Sequence, residues 1–364
     1  MTRNKRLSMW SSLMPYLGGK RRLCPLIFRE VDRILPRKLW PGLTFLDGFL
    51  GGGSVSLYAK AQGFRVVSVD IAERSIVVGR ALIQNSSVRL RREDILRVAA
   101  DKYEPPAQVE QNYAPQAFTR AQARLLDRIL AMAGEARDMA RQGLLRLLAV
   151  RVALLCHAMS SVRTGTIHRL SSGEYENITP SCLKGYVEGL RLNRPDRLWK
   201  VAQQINAGVF QGEAQVLKAD IVKLLPTIEA DIAYFDPPYP GVTSYEKEYK
   251  IIDEILEGTA LPVSPFSAKD GASMIDGLFK QAKNIPVWIL SLGNAEVTLG
   301  ELEQKMRGYG REVKATEIRY MHKPSQSSEE KRQQNREFIL VGWDPDAELI
   351  HNPSLTTVAA QGEA

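Results

Sequence analysis

The segment "TFLDGFLGGGSVSLYAKAQG", residues 44–63, connects a short apolar run to a helical pattern through three consecutive glycines. Residues 44–46 have the character of a buried strand, and from Ser54 onward the apolar side chains recur at helical spacing. Glycines at such a turn let a ligand approach the backbone, and the N-terminus of the following helix favours the ligand's negative groups. The segment therefore predicts a strand–turn–helix unit of an α/β sheet, with a ligand site at the turn.

A second apolar run follows the predicted helix and ends in an acidic residue. This run is "RVVSVD", residues 65–70, and Asp70 comes about twenty residues after the glycine turn, where an acid can hold the hydroxyls of a ribose. The combination is compatible with an NAD or FAD enzyme and with a methyltransferase that binds S-adenosylmethionine. A tight turn without a ligand is the third interpretation.

Five more apolar runs supply the rest of the predicted sheet. Helical stretches separate most of them, and this alternation is typical of a doubly wound α/β fold. The last two runs have no helical pattern between them, so we expect them to form an antiparallel hairpin at the edge of the sheet. The runs are residues 219–225, 231–236, 287–292, 312–321 and 336–343.

The pattern changes between Asp70 and Ala219. Residues 118–162 have long helical periodicity, whereas residues 163–200 are polar, rich in Gly, Ser, Asn and Arg, and without a clean period. We therefore predict a helical insertion within a discontinuous α/β domain, followed by a disordered tail. The predicted bounds are residues 1–100 and 205–346 for the α/β domain, 101–204 for the insertion and 347–364 for the tail.

Composition narrows the class of protein. Of the 364 residues, 44% are hydrophobic and 25% are charged, as in soluble globular proteins. No apolar run approaches the length of a transmembrane helix, and the basic N-terminus lacks the apolar stretch of a signal peptide. The three cysteines (Cys24, Cys156 and Cys182) suit free thiols in a reducing cytoplasm, and neither they nor the histidines have metal-ligand spacing. We therefore predict a cytoplasmic protein without a membrane segment or a metal.

The net charge of +8 favours a polyanionic partner, with nucleic acid ahead of an acidic membrane. Basic side chains concentrate in two segments that are able to neutralise phosphates. For any single residue, an ordinary charged surface is the better interpretation. The first segment contains Arg163, His168, Arg169, Lys184, Arg191, Arg194, Arg197 and Lys200, and the second contains Lys323, Lys331, Arg332 and Arg336.

The segment "PYLGGKRRL", residues 15–23, places Gly-Gly-Lys before another helical pattern. It resembles a fragment of a phosphate-binding loop, but the full motif needs Ser or Thr where this chain has Arg21. A nucleotide triphosphatase is therefore disfavoured. Two interpretations of Lys20 remain: contact with the methionine carboxylate of a cofactor, or the cap of a surface turn.

The segment "YFDPPYPG", residues 234–241, holds a carboxylate rigidly at the end of a predicted strand. The two prolines after Asp236 cannot donate to a strand ladder, so the strand ends there. An amino group conjugated to a nucleobase is a poor nucleophile because its lone pair is delocalised. Acceptors on its hydrogens localise that lone pair, and the Asp236 carboxylate and the Pro237 carbonyl can be these acceptors. Tyr239 offers a face for a base that has left the duplex stack.

Four motifs in one order give the chain a family resemblance. The motifs "PYLGGK", "FLDGFLGGGS", "VD" and "DPPY", with an insertion before the last, are similar to those of Dam-like, D12 class DNA adenine methyltransferases. The resemblance covers about residues 12–343 and includes the closing "NREFILVGW". It implies a Rossmann-like methyltransferase fold, S-adenosylmethionine as the cofactor and double-stranded DNA as the partner. A companion restriction endonuclease is a further implied partner.

The resemblance also assigns roles to individual residues. The acid of the DPPY motif is Asp, where related protein glutamine methyltransferases have Asn, and this favours a nucleic acid substrate. Tyr16 stands where some relatives have Trp, which preserves the ring. The implied cofactor-binding residues are Tyr16, Lys20, Asp47, Gly51, Gly53, Asp70, Asp220 and Asp236, and the implied catalytic residues are Asp236, Pro237, Pro238 and Tyr239.

Several other functions stay open from the sequence. The same chemistry could act on the amino group of cytosine or on RNA, and a methyltransferase fold without activity could simply bind DNA. An NAD-dependent oxidoreductase is disfavoured by the DPPY motif. In the implied family the insertion is the usual place for target recognition, so the predicted base readers are Arg163, His168, Arg169, Asn177, Asn193 and Arg194.

Overall fold

The structure is a computed structural model that describes residues 8–100, 105–156, 172–173, 187–238, 248–258, 266, 271–294, 297–319 and 336–351. The strands are β1 (Thr44–Asp47), β2 (Arg65–Asp70), β3 (Ala214–Lys218), β4 (Ile232–Phe235), β5 (Val287–Gly293), β6 (Glu312–Arg319) and β7 (Arg336–Trp343). The helices are α1 (Cys24–Asp32), α2 (Ser54–Ala61), α3 (Glu73–Val78), α4 (Arg92–Ala99), α5 (Gln108–Tyr113), α6 (Arg120–Glu135), α7 (Met139–Cys156), α8 (Pro195–Asn206), α9 (Ile221–Leu224), α10 (Lys250–Glu257), α11 (Gly271–Gln281), α12 (Leu299–Gly308) and α13 (Glu348–His351).

The chain divides into two compact units. One, the sheet unit, contains all of the described strands, and the other, the helical unit, contains most of the long central helices. The bounds predicted for the α/β domain and its insertion stay a prediction. The sheet unit comprises Leu17–Ile76, Gly212–Lys247 and Pro262–Ala364, and the helical unit comprises Met1–Tyr16, Val77–Gln211 and Glu248–Leu261.

The sheet unit is built on seven strands in the order β3-β2-β1-β4-β5-β7-β6. The first five strands of this order pair in parallel. The last two are antiparallel, with β7 between β5 and β6. These pairings confirm the predicted Rossmann-like α/β class and the antiparallel hairpin at the sheet edge.

Helices cover both faces of the sheet, which explains why the two central residues of β1 are apolar. Phe45 stacks on Phe28 of α1 on one face, with 5.3 Å between the ring centroids. The next residue, Leu46, belongs to a core cluster on the other face that includes Leu278 of α11 and Met306 of α12. Successive side chains of a strand point to opposite faces, so a strand covered on both sides needs apolar residues at every position.

The helical unit is organised around α7, which contacts α6, α8 and α10. Twelve residues of α7 are buried, including Leu144, Leu148 and Val152. Within the described part of the chain, α6 and α7 confirm the helical periodicity predicted over residues 118–162. The side chain of Arg151 leaves this helix and donates to the carbonyls of residues 11–13 at 2.9 to 3.0 Å. The segment before Tyr16 is therefore fixed to the central helix of its own unit.

The sequence prediction placed one strand wrongly. Residues 219–225 were expected to be a strand, but they form α9 and the first residue of the turn after it, and the strand is the more polar β3. Asp220 caps α9, because its carboxylate accepts from the backbone N–H of Val222 at 3.1 Å. Ile221 and Leu225 reach the core from this short helix, so the apolar run is buried without extended backbone.

Two further segments contain helices that were not predicted. Residues 195–200 lie in the stretch predicted to be aperiodic, yet they open α8, with Pro195 in its first turn and Leu198 fully buried. The predicted disordered tail contains α13, and residues 352–364 lie outside the described residues. Cys24 and Cys156 are free and buried, and Cys182 is also outside the described residues.

Candidate active site

The carboxyl ends of the parallel strands meet at one edge of the sheet. The chain order reverses between β1 and β4, because β2 and β3 continue to one side of this pair and β5 to the other. Open α/β sheets bind ligands at such a switch point. Asp47 ends β1, Asp70 ends β2, and Asp236 directly follows β4. Three of the predicted site residues therefore lie at the edge where a ligand is expected.

Asp70 is oriented by the backbone of the glycine turn. One of its carboxylate oxygens accepts from the N–H of Gly51 and the other from the N–H of Ala72, both at 2.8 Å. Gly51 has a φ of +48°, in the left-handed region that glycine adopts without strain. Each carboxylate oxygen can accept a second hydrogen bond. The side chain is half-buried, so this arrangement suits a carboxylate that also receives ribose hydroxyls.

Asp47 fixes the base of the same turn. Its carboxylate is buried and accepts from the hydroxyl of Ser56 at 2.6 Å and from the N–H of Phe49 at 3.3 Å. The Ser56 hydroxyl also lies 2.8 Å from that of Ser68 on β2, which ties α2 to the sheet. Burial raises the pKa of Asp47 to about 7, although both hydrogen bonds act to lower it. Asp47 thus fixes the start of the glycine turn relative to α2.

Lys20 is a buried cation that contacts the DPPY motif. Its side chain is 2% exposed, and its ammonium lies 2.8 Å from Oδ1 of Asp236, whose side chain is 18% exposed. The ammonium also donates to the carbonyl of Gly18 at 3.1 Å. The interpretation of Lys20 as the cap of a surface turn is therefore wrong. Burial raises the pKa of Asp236 to about 6, with Lys20 acting to lower it.

Glu337 is an acid of this cluster that the sequence reasoning missed. It lies on β7, is fully buried, and places Oε1 3.4 Å from the Lys20 ammonium. The same oxygen accepts from the hydroxyl of Ser291 on β5 at 2.7 Å. The signal available in the sequence was an acid directly before the apolar run of residues 338–341, in a strand predicted to lie at the sheet edge.

The DPPY turn leaves the sheet beside the glycine turn. The carbonyl of Tyr234 accepts from the N–H of Gly48 at 2.9 Å, which connects the ends of β4 and β1. A Cβ on Gly48 would lie 3.0 Å from Ile221 and 3.2 Å from the ring of Phe235, so glycine permits this close approach. Pro237 is buried and Pro238 half-buried, while Tyr239 lies outside the described residues.

The remaining predicted cofactor residues have local roles in the structure. Gly53 has a φ of +76° and caps the N-terminus of α2, as a glycine turn requires. Asp220 caps α9 and is partly exposed, 3.9 Å from Lys223. Tyr16 belongs to the helical unit, where its ring stacks on that of Tyr249 with 5.0 Å between centroids. The sheet unit therefore brings together Lys20, Asp47, Gly51, Asp70 and Asp236, and Tyr16 stands in a separate stack.

Most of the basic residues proposed to contact DNA lie outside the described residues. Those that are described include Arg194, which is exposed and pairs with Asp196 at 3.2 Å, and Arg336, which pairs with Glu317 at 3.1 Å. In the described part of the chain no group of three or more His, Cys, Asp or Glu could hold a metal ion. The candidates outside the described residues are Arg163, His168, Arg169, Asn177, Lys184, Lys323, Lys331 and Arg332.

No helix within the described ranges is both long enough and apolar enough to cross a membrane.

Comparison with known proteins agrees with this geometry. The model of the D12 class N6 adenine-specific DNA methyltransferase family matches residues 16–155, a stretch that begins with the Lys20 motif and contains the glycine turn and Asp70. The Type II methyltransferase M2.HphI of Haemophilus parahaemolyticus is 24% identical over 340 residues, which span 90% of this chain and 96% of the relative. The predicted family resemblance is thereby confirmed. Over residues 16–155 the chain is therefore similar to the D12 class of N6 adenine-specific DNA methyltransferases.

Proposed function

We propose that the protein transfers a methyl group from S-adenosyl-L-methionine to the exocyclic amino group of adenine in duplex DNA, after the base has flipped into a pocket at the DPPY motif. One observation carries this proposal: a partly exposed carboxylate, Asp236, is held by the buried Lys20 directly beyond β4, at the switch point of the sheet. A cytoplasmic protein with a companion restriction endonuclease is part of the same proposal.

The residues around the glycine turn fit the cofactor. When bound, S-adenosylmethionine supplies an activated methyl group on a sulfonium. Asp70 is preoriented by two backbone N–H groups and would accept from the ribose hydroxyls. The turn from Asp47 to Gly53 would surround the methionine end, and Asp220 would lie near the adenine. The resemblance adds Tyr16 and Lys20 to this set.

Asp236 and Pro237 would activate the target amino group. The carboxylate and the Pro237 carbonyl would accept one hydrogen each, so the nitrogen lone pair localises and can attack the methyl carbon in line. As the nitrogen–carbon bond forms, the sulfur–methyl bond of the cofactor would break with its electron pair left on sulfur, and the nitrogen would then release one proton. The ion pair with Lys20 fixes the carboxylate before the base arrives, and the prolines limit its movement. Tyr239 would stack against the flipped base. The acceptor must be ionised, and with a pKa of about 6 Asp236 is mostly a carboxylate at neutral pH.

A direct test is methyl transfer by Asp236 variants under single-turnover conditions. Bases methylated in DNA from expressing cells are mapped first, and a duplex with the mapped site is then incubated with labelled cofactor. We expect Asp236→Ala to lower the transfer rate by about a hundredfold or more, because an acceptor needed at the transition state is lost. Cofactor affinity, measured by calorimetry, should fall much less. Near-normal transfer by this variant would contradict the assignment.

Nucleoside analysis of the product separates the remaining alternatives. N6-methyladenine in the duplex supports the proposal, whereas N4-methylcytosine, or methylation of RNA alone, identifies the other amino-group substrates. A protein that binds the duplex and the cofactor without transferring the methyl group would be an inactive methyltransferase fold. Fluorescence of 2-aminopurine at the target position tests base flipping separately, because the signal rises when the base leaves the stack.

A further inference from the structure

We propose that Glu337 is a positioning residue for methyl transfer: through the shared Lys20 ammonium it sets the place and the charge environment of Asp236. This role rests on the proposed function of Asp236. It belongs to the sheet unit alone, since Lys20, Asp236, Ser291 and Glu337 all lie there. The family match ends at residue 155, well before Glu337, and the motifs of the resemblance assign the residue no role.

The contacts form a continuous chain across three strands. Ser291 on β5 donates to Oε1 of Glu337 on β7 at 2.7 Å, and this oxygen lies 3.4 Å from the Lys20 ammonium. The ammonium donates to Oδ1 of Asp236 beyond β4 at 2.8 Å. Glu337 and Lys20 are 0% and 2% exposed, so both are withdrawn from water, whereas Asp236 is 18% exposed. This series of contacts therefore leads from the buried Glu337 to Asp236, whose partly exposed carboxylate faces the site.

Charge explains why an acid at this buried position affects the reaction. One ammonium lies between two carboxylates, so the positive charge is shared and Asp236 is less neutralised than in an isolated pair. The negative charge of Glu337 raises the pKa of Asp236, while Lys20 lowers it. A carboxylate with a pKa nearer to neutrality accepts hydrogen bonds from an amino group more strongly. Glu337 thus holds Lys20 in place and also limits how far Lys20 weakens the acceptor.

Other titratable groups near Asp236 also affect the pH dependence of methyl transfer, so their effects have to be distinguished from that of Glu337. Lys20 and Cys24 face it from the N-terminal segment and α1, Asp47 from the end of β1, and Tyr234 from β4. Burial raises the pKa of the Cys24 thiol and of the Tyr234 phenol, which keeps both neutral at physiological pH. Asp47 has a pKa of about 7, so it titrates in the same range as Asp236. Comparison of variants at Glu337 and Lys20 removes this ambiguity.

The decisive experiment is the pH profile of single-turnover transfer for the wild type, Glu337→Gln and Lys20→Met. The wild-type rate should rise with pH through the pKa of Asp236. In Glu337→Gln the loss of a nearby negative charge should move this rise to lower pH by about one unit. In Lys20→Met the loss of the cation should move it to higher pH. We expect the rate at the plateau of Glu337→Gln to fall by about tenfold, because Lys20 loses a partner that positions it.

Controls distinguish positioning from simple structural damage. Glu312→Gln removes an exposed glutamate from β6 of the same hairpin and should leave both the rate and the pH profile unchanged. Glu337→Asp keeps the carboxylate charge on a shorter side chain. Its plateau rate should therefore fall, while the pH at which the rate rises should stay near that of the wild type. This variant also provides the test if Glu337→Gln does not fold. A full plateau rate in Glu337→Asp would overturn the inference, as would an unmoved profile in Glu337→Gln.

A direct titration keeps this inference separate from the proposed function. The Asp236 carboxyl carbon is followed by NMR in protein labelled with 13C-aspartate, and its signal is assigned from its absence in Asp236→Asn. A lower Asp236 pKa in Glu337→Gln than in the wild type supports the inference without any activity measurement. An equal pKa in the two proteins overturns it, even if Asp236→Ala proves inactive. An active Asp236→Ala contradicts the proposed function itself.

Discussion

Asp70 has two tasks at the glycine turn. Its carboxylate holds the turn through Gly51 and, in the proposed function, also binds the ribose. We expect Asp70→Ala to weaken cofactor binding by about tenfold or more, because each charge-assisted hydrogen bond that is lost contributes roughly 1.5–3 kcal/mol. Calorimetry measures this change. The matched control is Asp32→Ala, which removes an acid that pairs with Arg37 on the surface of the same unit. A dissociation constant unchanged in Asp70→Ala would exclude the ribose role.

The site residues at this scale were predictable when a strand end or a glycine turn marked them. Asp47, Asp70 and Asp236 each follow an apolar run, so their place at the carboxyl edge of the sheet followed from the pattern. Glu337 was not predictable in this way. It lies near the start of β7, between half-buried Arg336 and buried Phe338, and its partners Lys20 and Ser291 are distant in sequence. A long-range ion pair leaves no local pattern.

At the scale of elements, the start of α2 depends on a glycine with left-handed backbone. Gly53 has a φ of +76°, so Gly53→Ala should lower the free energy of unfolding by about 1–2 kcal/mol and also weaken cofactor binding. Gly277, inside α11, is the matched control because a Cβ there meets no atom within 4 Å. Gly277→Ala should be neutral or stabilise the protein by up to about 1 kcal/mol, through helix propensity. Denaturant unfolding of both variants measures these changes, and equal effects would contradict the account.

The misplaced strand shows the limit of element prediction from apolar runs. Residues 219–225 are more apolar than β3, so the periodicity favoured the wrong segment. The sequence signal for a helix was Asp220, which caps α9. Because α9 is a single helical turn, its sequence resembles the end of a strand. By contrast the bounds of β2 and β7 were predicted to the residue.

At the scale of the whole molecule, the family match supports DNA adenine methylation but leaves sequence recognition unassigned. A cofactor and a flipped base occupy the strand-end turns of the sheet unit in the proposed function. Reading neighbouring base pairs requires other side chains that enter a groove. Six residues within 163–200 were predicted for this task, and four of them lie outside the described residues: Arg163, His168, Arg169 and Asn177. Composition can indicate such a segment, but it cannot tell a base contact from a phosphate contact.

The described member of this set that is best suited to a test is Arg194, which is exposed and pairs with Asp196 at 3.2 Å. If Arg194 reads a base, Arg194→Ala should lose roughly 1–3 kcal/mol of discrimination at one position of the site and leave cofactor binding unchanged. If it contacts a phosphate, binding to every sequence should weaken alike, and the salt dependence of binding should decrease. The measurement is methylation of a library with every single-base variant of the mapped site, at two salt concentrations. The control is Arg120→Ala, an exposed arginine of the same unit that pairs with Glu110. If Arg194→Ala behaves like the control, the base-reading side chain lies elsewhere within residues 163–200 or within residues 323–336. Variants in these two segments are tested with the same library.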